Sequence, residues 1–179
     1  MPGQRICDVE ARRLLGKKRG SVFPPPSRGA LNASEYREAC DINEELTDKR
    51  LTMQSFNISP KIHHVDGCLT PQMQERVMDV HPELCFYALN GGVPLASKKD
   101  RVAGRIDRWE ILRLHFPALS NSPPRASELP EGCKPDDYID ALVCAWTAAC
   151  VWRGNSQPIP LEPQTDDRGL RMEMWLPRA

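Results

Sequence analysis

The sequence predicts one helix-rich domain with little β-strand. A chain of 179 residues is long enough for one domain with a real core and too short for two, so residues 1–179 are treated as a single domain. Apolar residues recur at helical spacing in six or seven segments, but only two segments resemble strands. The longest helical segment, 137–152, is apolar on every side, and such a helix usually packs between a sheet and another helix. Two strands cannot form that sheet, so either the fold is nearly all helical or further strands lie outside this chain.

Each predicted element begins or ends at a recognisable signal. Basic residues 17–19 follow the first helix, as suits a helix C-terminus. Thr70-Pro71 is typical of an N-cap followed by proline at the first helical position, and Pro82 opens a helix that Gly91-Gly92 closes. The predicted helices are 6–15, 34–46, 53–65, 70–76, 82–92, 101–116 and 137–152. The predicted strands are 76–82 and 169–176, and the prolines at 24–26, 123–124 and 158–163 are assigned to connections.

Composition limits the compartment and the partners. Lys and Arg balance Asp and Glu at 24 each, so any contact with a polyanion depends on a local patch. Seven cysteines without a Cys-x-x-Cys pair indicate reduced thiols, and no apolar leader opens the chain. The apolar run is shorter than the ~20 residues that span a bilayer. The sequence therefore predicts a cytoplasmic protein without a membrane segment.

Four acidic residues form the strongest candidate for chemistry. Asp136, Asp137 and Asp140 share roughly one face at the start of the longest helix, and Glu83 follows a predicted strand at the start of another helix. Capping offers one explanation, with Asp137 as the N-cap and Asp140 in the capping-box position. A site for Mg²⁺ or Mn²⁺ offers the other, since these ions prefer oxygen ligands. The residues alone leave both explanations open.

A basic cluster lies between these acids in the sequence. Lys98, Lys99 and Arg101 follow the Gly-Gly stop, where they are either phosphate contacts or part of a solvated face. His63 and His64 are adjacent and therefore point to different sides of a helix. We interpret this histidine pair as surface residues rather than metal ligands.

Five segments carry a resemblance to a known family. They read CDVEARRLLGKKRGSVFPPP, KIHHVDG, VHPELCFYALNGGVPLASKKDRVAGRIDR, PDDYIDALVCAWTA and GLRMEMW. In this order they resemble domain-of-unknown-function family 429, over residues of about 5 to 176. That family is described as predicted nucleases of the RNase H-like α/β fold. The resemblance implies metal-dependent cleavage of nucleic acid with Glu83, Asp137 and Asp140 as metal-binding catalytic residues and Asp136 as the alternative to Asp137. In that case the basic cluster of Lys98, Lys99 and Arg101 is the candidate contact with the nucleic-acid backbone.

One part of the family pattern is not found. Family members begin with a glycine-rich strand that bears a Val-Asp-Gly-type aspartate, followed by two further strands. Val65-Asp66-Gly67 follows a helical stretch and is not equated with that motif. The expectation is an RNase H-like fold that is incomplete at its N-terminus, with impaired nuclease activity. The alternative is a non-catalytic binding or assembly module whose acids cap helices, and whose exposed sheet edge pairs with a partner or a second copy.

Overall fold

Six α-helices and one small antiparallel sheet form the part of the chain that the structure describes. The structure is a computed structural model that describes residues 5–178. The helices are α1 (Ile6–Leu15), α2 (Tyr36–Thr47), α3 (Met53–Cys68), α4 (Pro82–Leu89), α5 (Val102–His115) and α6 (Pro135–Trp152). The strands are β1 (Ser156–Thr165) and β2 (Arg171–Pro177), and short 3₁₀ helices cover Gly16–Ser21, Arg28–Asn32, Pro71–Glu75 and Ala126–Glu128. The prediction of a helix-rich domain with little strand is confirmed.

Local signals account for most helix boundaries. Thr70 caps the Pro71–Glu75 turn, with its hydroxyl accepting the Met73 N–H, although the turn is 3₁₀ rather than α-helical. Gly91 and Gly92 both have positive φ after α4, which glycine adopts without steric cost. Pro60 lies inside α3 without ending it. The predicted helices are therefore confirmed to within a few residues.

The sheet corrects two predictions. The segment 76–82 is not a strand: only Val80 forms an isolated parallel bridge, to Trp175 of β2. The prolines at 158–163 do not lie in a connection but within β1, where Ile159 pairs with Met174 and the register breaks before Gln164. Proline is tolerated here because β1 has only β2 as a neighbour, so no second strand needs the missing N–H groups.

The edge of β2 that does not pair with β1 is partly covered by the segment before α4. The Gln74 side chain accepts the Arg171 N–H at 2.8 Å and donates to the Arg171 carbonyl at 3.0 Å, as a neighbouring strand would. Further along, the Trp175 N–H donates to the Asp79 carbonyl at 2.8 Å. The hairpin turn is fixed by Asp166, whose Oδ1 accepts the backbone N–H groups of Arg168 and Leu170. The first two contacts join β2 to the segment before α4, and the Asp166 contacts fix the turn between the strands.

Helix α4 lies between the two larger groups of buried side chains. Its Leu84 and Ala88 pack in a cluster with α1 and both strands. Its Cys85 and Phe86 pack in a second cluster with Trp109 of α5 and with α6. A smaller third cluster joins α2 and α3. Helix α4 therefore lies between the sheet on one side and α5 and α6 on the other. Helix α6, for which the sequence predicted a position between a sheet and a helix, also contacts both strands as well as α4 and α5.

Helix α6 is only partly enclosed. Ile139, Val143, Thr147 and Cys150 are buried against its neighbours, but Trp152 is 90% exposed and Ala141, Ala145 and Ala148 also face outwards. Among residues 5–178, no helix is both long enough and apolar enough to cross a membrane.

Candidate functional site

The start of α6 differs from the predicted cap. The helix begins at Pro135, so Lys134 is the N-cap residue and makes no side-chain capping hydrogen bond. Asp136 and Asp137 therefore lie in the first turn, and the assignment of Asp137 as N-cap of a capping box is wrong. Proline fixes the boundary, since its ring sets φ to a helical value and its missing N–H is not needed at that position. Capping no longer explains why three aspartates occur together.

Two of these aspartates share one cation. Lys99 Nζ donates to Asp140 Oδ2 at 2.6 Å and lies 4.0 Å from Asp136 Oδ2. The side chains of Asp136 and Asp140 are 18% and 16% exposed, so this is not an ordinary surface pair. Asp137 is exposed and, among the described residues, makes no ion pair with Lys99, although its charge helps to raise the pKa of Lys99.

Glu83 reaches the same region from the first turn of α4. Its Oε1 accepts from Arg108 Nη2 at 2.5 Å, and the Arg108 side chain is only 1% exposed. Arg108 also donates to the Gly104 carbonyl at 2.8 Å and lies 5.5 Å from the centroid of the Phe86 ring. Glu83 and Arg108 therefore form a second, more deeply buried ion pair beside the first.

Electrostatics couple the two pairs. Burial raises the pKa of Asp140 and outweighs the Lys99 hydrogen bond and charge that lower it; the nearby Glu83 charge raises it further. Burial alone would lower the pKa of Lys99, but its hydrogen bond to Asp140 and the aspartate charges raise it above its ordinary value. Asp140 Oδ1 and Arg108 Nε are buried without a hydrogen-bond partner among the described residues. The site is thus a compact group of acids and bases in which two polar atoms are left unpaired.

The remaining predicted site residues lie further from this group. Lys98 and Arg101 are exposed on the loop before α5, and Arg101 lies 3.9 Å from the Asp100 carboxylate. His63 and His64 are exposed on α3, as predicted. Asp66 lies in the last turn of α3 and binds Arg28 and Arg168, so its role is in an ion-pair network away from this site.

Two residues of the site were missed by sequence reasoning. Arg108 was not predicted as part of the site, although Gly104, Arg108 and Leu112 recur at spacings of four on one face of α5. All three are buried, so an arginine on that apolar stripe was the available signal. Gly104 lets the loop approach: a Cβ at this position would lie 1.9 Å from the Lys98 carbonyl oxygen. Nothing in the sequence pattern distinguishes this glycine from the others.

The protein belongs to the class of mixed domains built from helices and a small, two-stranded sheet, and its acidic site lies at the starts of two helices. A family model described as "Protein of unknown function (DUF429)" matches residues 1–165. The chain belongs to this family, as the resemblance predicted. Searches of curated proteins and of solved structures find no match to this chain.

Proposed function

We propose that the protein is a nuclease of the RNase H-like class that cleaves phosphodiester bonds with Mg²⁺ or Mn²⁺. The observation that carries the proposal is that Glu83 of α4 lies near enough to Asp140 of α6 for its charge to raise the pKa of Asp140, while Asp136 approaches the Lys99 that Asp140 binds. Carboxylates delivered by separate elements to one place are an arrangement suited to binding a hard cation. The unpartnered, buried Asp140 Oδ1 adds an oxygen that is available to a ligand.

The site does not fit a preformed metal centre. Within residues 5–178, no group of three or more His, Cys, Asp or Glu side chains is placed to hold one ion. Glu83 is engaged by Arg108, and Lys99 lies against Asp136 and Asp140. The chemistry of the oxygen donors suits Mg²⁺ or Mn²⁺, but their present partners do not.

Charge around the site supports a nucleic-acid substrate. Lys98 and Arg101 are exposed on the loop that carries Lys99, where they would meet the phosphate backbone while the acids remain behind them. Such contacts carry no sequence information, so binding would be salt-dependent and tolerant of sequence. Seven free cysteines accord with the reducing cytoplasm that we propose as the protein's compartment.

A non-catalytic binding or assembly module is the second candidate. It is favoured by one observation: the charges of Asp140 and Glu83 are already matched by Lys99 and Arg108. In this candidate, the free edge of β1 is where a second copy or another strand would pair. The prolines at 158, 160 and 163 lack an N–H, so that pairing would be limited to the remaining residues.

A cleavage assay tests the proposed function. Purified protein is incubated with end-labelled single- and double-stranded DNA and RNA in the presence of Mn²⁺, Mg²⁺ or EDTA. We expect metal-dependent cleavage that falls by about 10–100-fold or more in Asp140→Asn. Asp41→Asn removes a carboxylate of the exposed Arg50 pair and serves as the matched control that keeps activity. The Asp137→Asn variant tests whether Asp137 contributes to cleavage. Unchanged cleavage by this variant would leave Asp136 as the partner of Asp140.

The outcomes separate the two candidates. Equal cleavage by the wild-type protein and Asp140→Asn, or cleavage that EDTA does not change, would contradict the nuclease proposal. Absence of cleavage by the folded protein, together with dimerisation or retained nucleic-acid binding, would favour the non-catalytic module.

A further inference from the structure

A basic segment near the start of the described chain has no part in the candidate site. Residues 11–34 contain six lysine and arginine residues and no Asp or Glu, although the whole chain balances the two charges at 24 each. Three of the six, Lys17, Lys18 and Arg19, follow one another in the 3₁₀ turn Gly16–Ser21. Helix α1 already has two arginines in its last turn, and the helix dipole acts only over that turn. The dipole therefore does not account for three further cations beyond the helix.

The turn has a fixed shape and an open backbone. Arg12 Nη1, on α1, donates to the Val22 carbonyl just after the turn at 2.8 Å. Gly16 opens the turn with a positive φ, which glycine adopts without steric cost. Outside the adjacent residues, no described atom lies within 4 Å of the place where a Cβ would stand at Gly16 or Gly20. The three cations are thus presented on a held backbone that a ligand can approach.

This turn meets the loop that carries the other basic residues. Lys18 Nζ donates to the Ser97 carbonyl at 2.8 Å, and Lys98 is the next residue along that loop. A carbonyl is neutral, so this contact does not cancel the charge of Lys18. Asp107 accepts from Ser97 Oγ at 2.5 Å and brings one negative charge to the same place. We call four cations the basic surface: Lys17, Lys18, Arg19 and Lys98. Within residues 5–178, none of the four forms an ion pair.

The basic surface borders the acids of the candidate site. The carbonyl of the last residue of the turn accepts from His81 Nε2 at 3.1 Å, and His81 stands two residues before Glu83. On the loop, Lys98 stands one residue before Lys99, which donates to Asp140 at 2.6 Å. Direct contacts therefore join the surface to the segment that carries Glu83 and to the loop whose lysine binds Asp140.

We propose that the basic surface binds the phosphate backbone of a nucleic acid, and that a strand bound there extends to the acids of the site. The inference rests on the proposed function for the second part alone, since binding needs neither metal nor cleavage. Cations without carboxylate partners, brought together by two segments, match the regular negative charges of a phosphate backbone. Contacts of this kind position a nucleic acid without reading its sequence. A nucleic acid is favoured over an anionic membrane because the surface continues to the acids, and membrane binding gives that continuity no role.

The salt dependence of DNA binding tests this inference without metal. Affinity for a fluorescein-labelled duplex DNA of mixed sequence is measured by fluorescence anisotropy in EDTA at a series of NaCl concentrations. We expect Lys17→Gln with Arg19→Gln to bind more weakly than the wild-type protein at low salt. The slope of log affinity against log salt concentration should fall in magnitude by about 2, because about one counterion is released for each phosphate that a cation neutralises. Lys49→Gln with Lys61→Gln removes two exposed lysines from the α2–α3 region and is the matched control, which should keep the wild-type slope.

The outcomes distinguish this inference from the nuclease proposal. Equal slopes for the wild-type protein and the turn variant, absence of DNA binding by the wild-type protein, or tighter binding to phosphatidylserine vesicles than to DNA would overturn the inference. DNA binding with the expected loss of slope, but without metal-dependent cleavage, would uphold it and count against the nuclease proposal. Metal-dependent cleavage together with a turn variant that keeps the wild-type slope would do the reverse.

Discussion

Arg108 shows how a single buried charge shapes the site. Its guanidinium is enclosed by α4 and α5 and reaches Glu83, the glutamate that the family resemblance marks as catalytic. A buried ion pair contributes little net stability, because desolvation opposes the attraction between its charges. Removing only one of the two partners is costly, because the remaining charge stays buried without a partner. Arg108 therefore acts as a positioning residue that fixes the Glu83 carboxylate at the edge of the site.

Arg108→Met is expected to lower the free energy of unfolding by about 3–5 kcal/mol, because Glu83 would be left without its partner. Replacing both partners, in Arg108→Met with Glu83→Gln, is expected to restore much of this loss. The measurement is urea unfolding in EDTA at neutral pH. Arg113→Met removes the exposed pair with Glu110 and is the control, with an expected change of about 1 kcal/mol or less. Additive losses in the double variant would show that Arg108 and Glu83 are not coupled.

For single residues, the sequence predicted which acids belong to the site better than it predicted their ion-pair partners. Glu83 and the aspartates of α6 were identified from their places at helix starts, and the structure brings Glu83, Asp136 and Asp140 into one region. The lysine between the aspartates and the arginine behind Glu83 were not predicted as their partners. Ion pairs between residues 41 and 25 positions apart depend on how helices pack, and local patterns do not record that.

Among the elements, an ion-pair network joins three segments that are distant in the sequence. Arg28 follows the prolines at 24–26. It binds Asp66 of α3 and both Asp166 and Asp167 of the hairpin turn. Its hydrogen bond lowers the pKa of Asp66. Burial alone would raise the pKa of Asp166, but Arg28 and the backbone N–H groups of Leu170 and Arg168 lower it below its ordinary value. The network thus ties the α2–α3 region to the sheet.

Arg28→Gln is expected to destabilise the protein by about 1–2 kcal/mol near neutral pH, since several charge-assisted hydrogen bonds are lost. The sign of the pH dependence follows from the lowered aspartate pKa values. The contribution is fully present above the ordinary aspartate pKa of 3.8 and is lost as the pH falls through the lower values of the folded protein. The difference in unfolding free energy between the variant and the wild-type protein should therefore be constant from about pH 5 to 7 and shrink in more acidic solution.

Urea unfolding at a series of pH values checks this prediction. Arg50→Gln breaks an exposed ion pair with Asp41 and Glu44 and is the control, for which a smaller effect is expected. A difference between Arg28→Gln and the wild-type protein that grows towards low pH would contradict the account.

The element boundaries show which signals in a sequence are reliable. Proline and glycine marked the ends of α4, and apolar periodicity located α1 and α5, because those features act locally. The strands were harder. Segment 76–82 has strand-like residues but gains only one bridge, and β1 was hidden by its prolines because sequence alone does not show that it has a single neighbouring strand. Strand pairing depends on distant residues, so its register was not predictable from either segment alone.

For the whole molecule, the two larger clusters on opposite sides of α4 explain how a small sheet supports a helix-rich domain. Leu84 and Phe86 are fully buried in different clusters, so α4 replaces much of the core that a larger sheet would provide. Glu83 lies in the first turn of the same helix, and α6 packs beside it with Asp136 in its own first turn and Asp140 one turn further along. The site is therefore fixed by the packing of two helices rather than by a loop. This rigidity favours a binding or catalytic role, because functional side chains on packed helices are held more closely than those on loops.

The central claim is the proposal that the protein is a metal-dependent nuclease whose site includes Glu83 and Asp140. Anomalous diffraction from crystals soaked in Mn²⁺ together with a nucleic-acid substrate tests it most directly, because the manganese signal identifies the ion and its ligands together. The account predicts an anomalous peak within coordination distance of Asp140 in the wild-type protein and no such peak in Asp140→Asn. Wild-type crystals without a peak at these carboxylates at saturating Mn²⁺ would contradict the account.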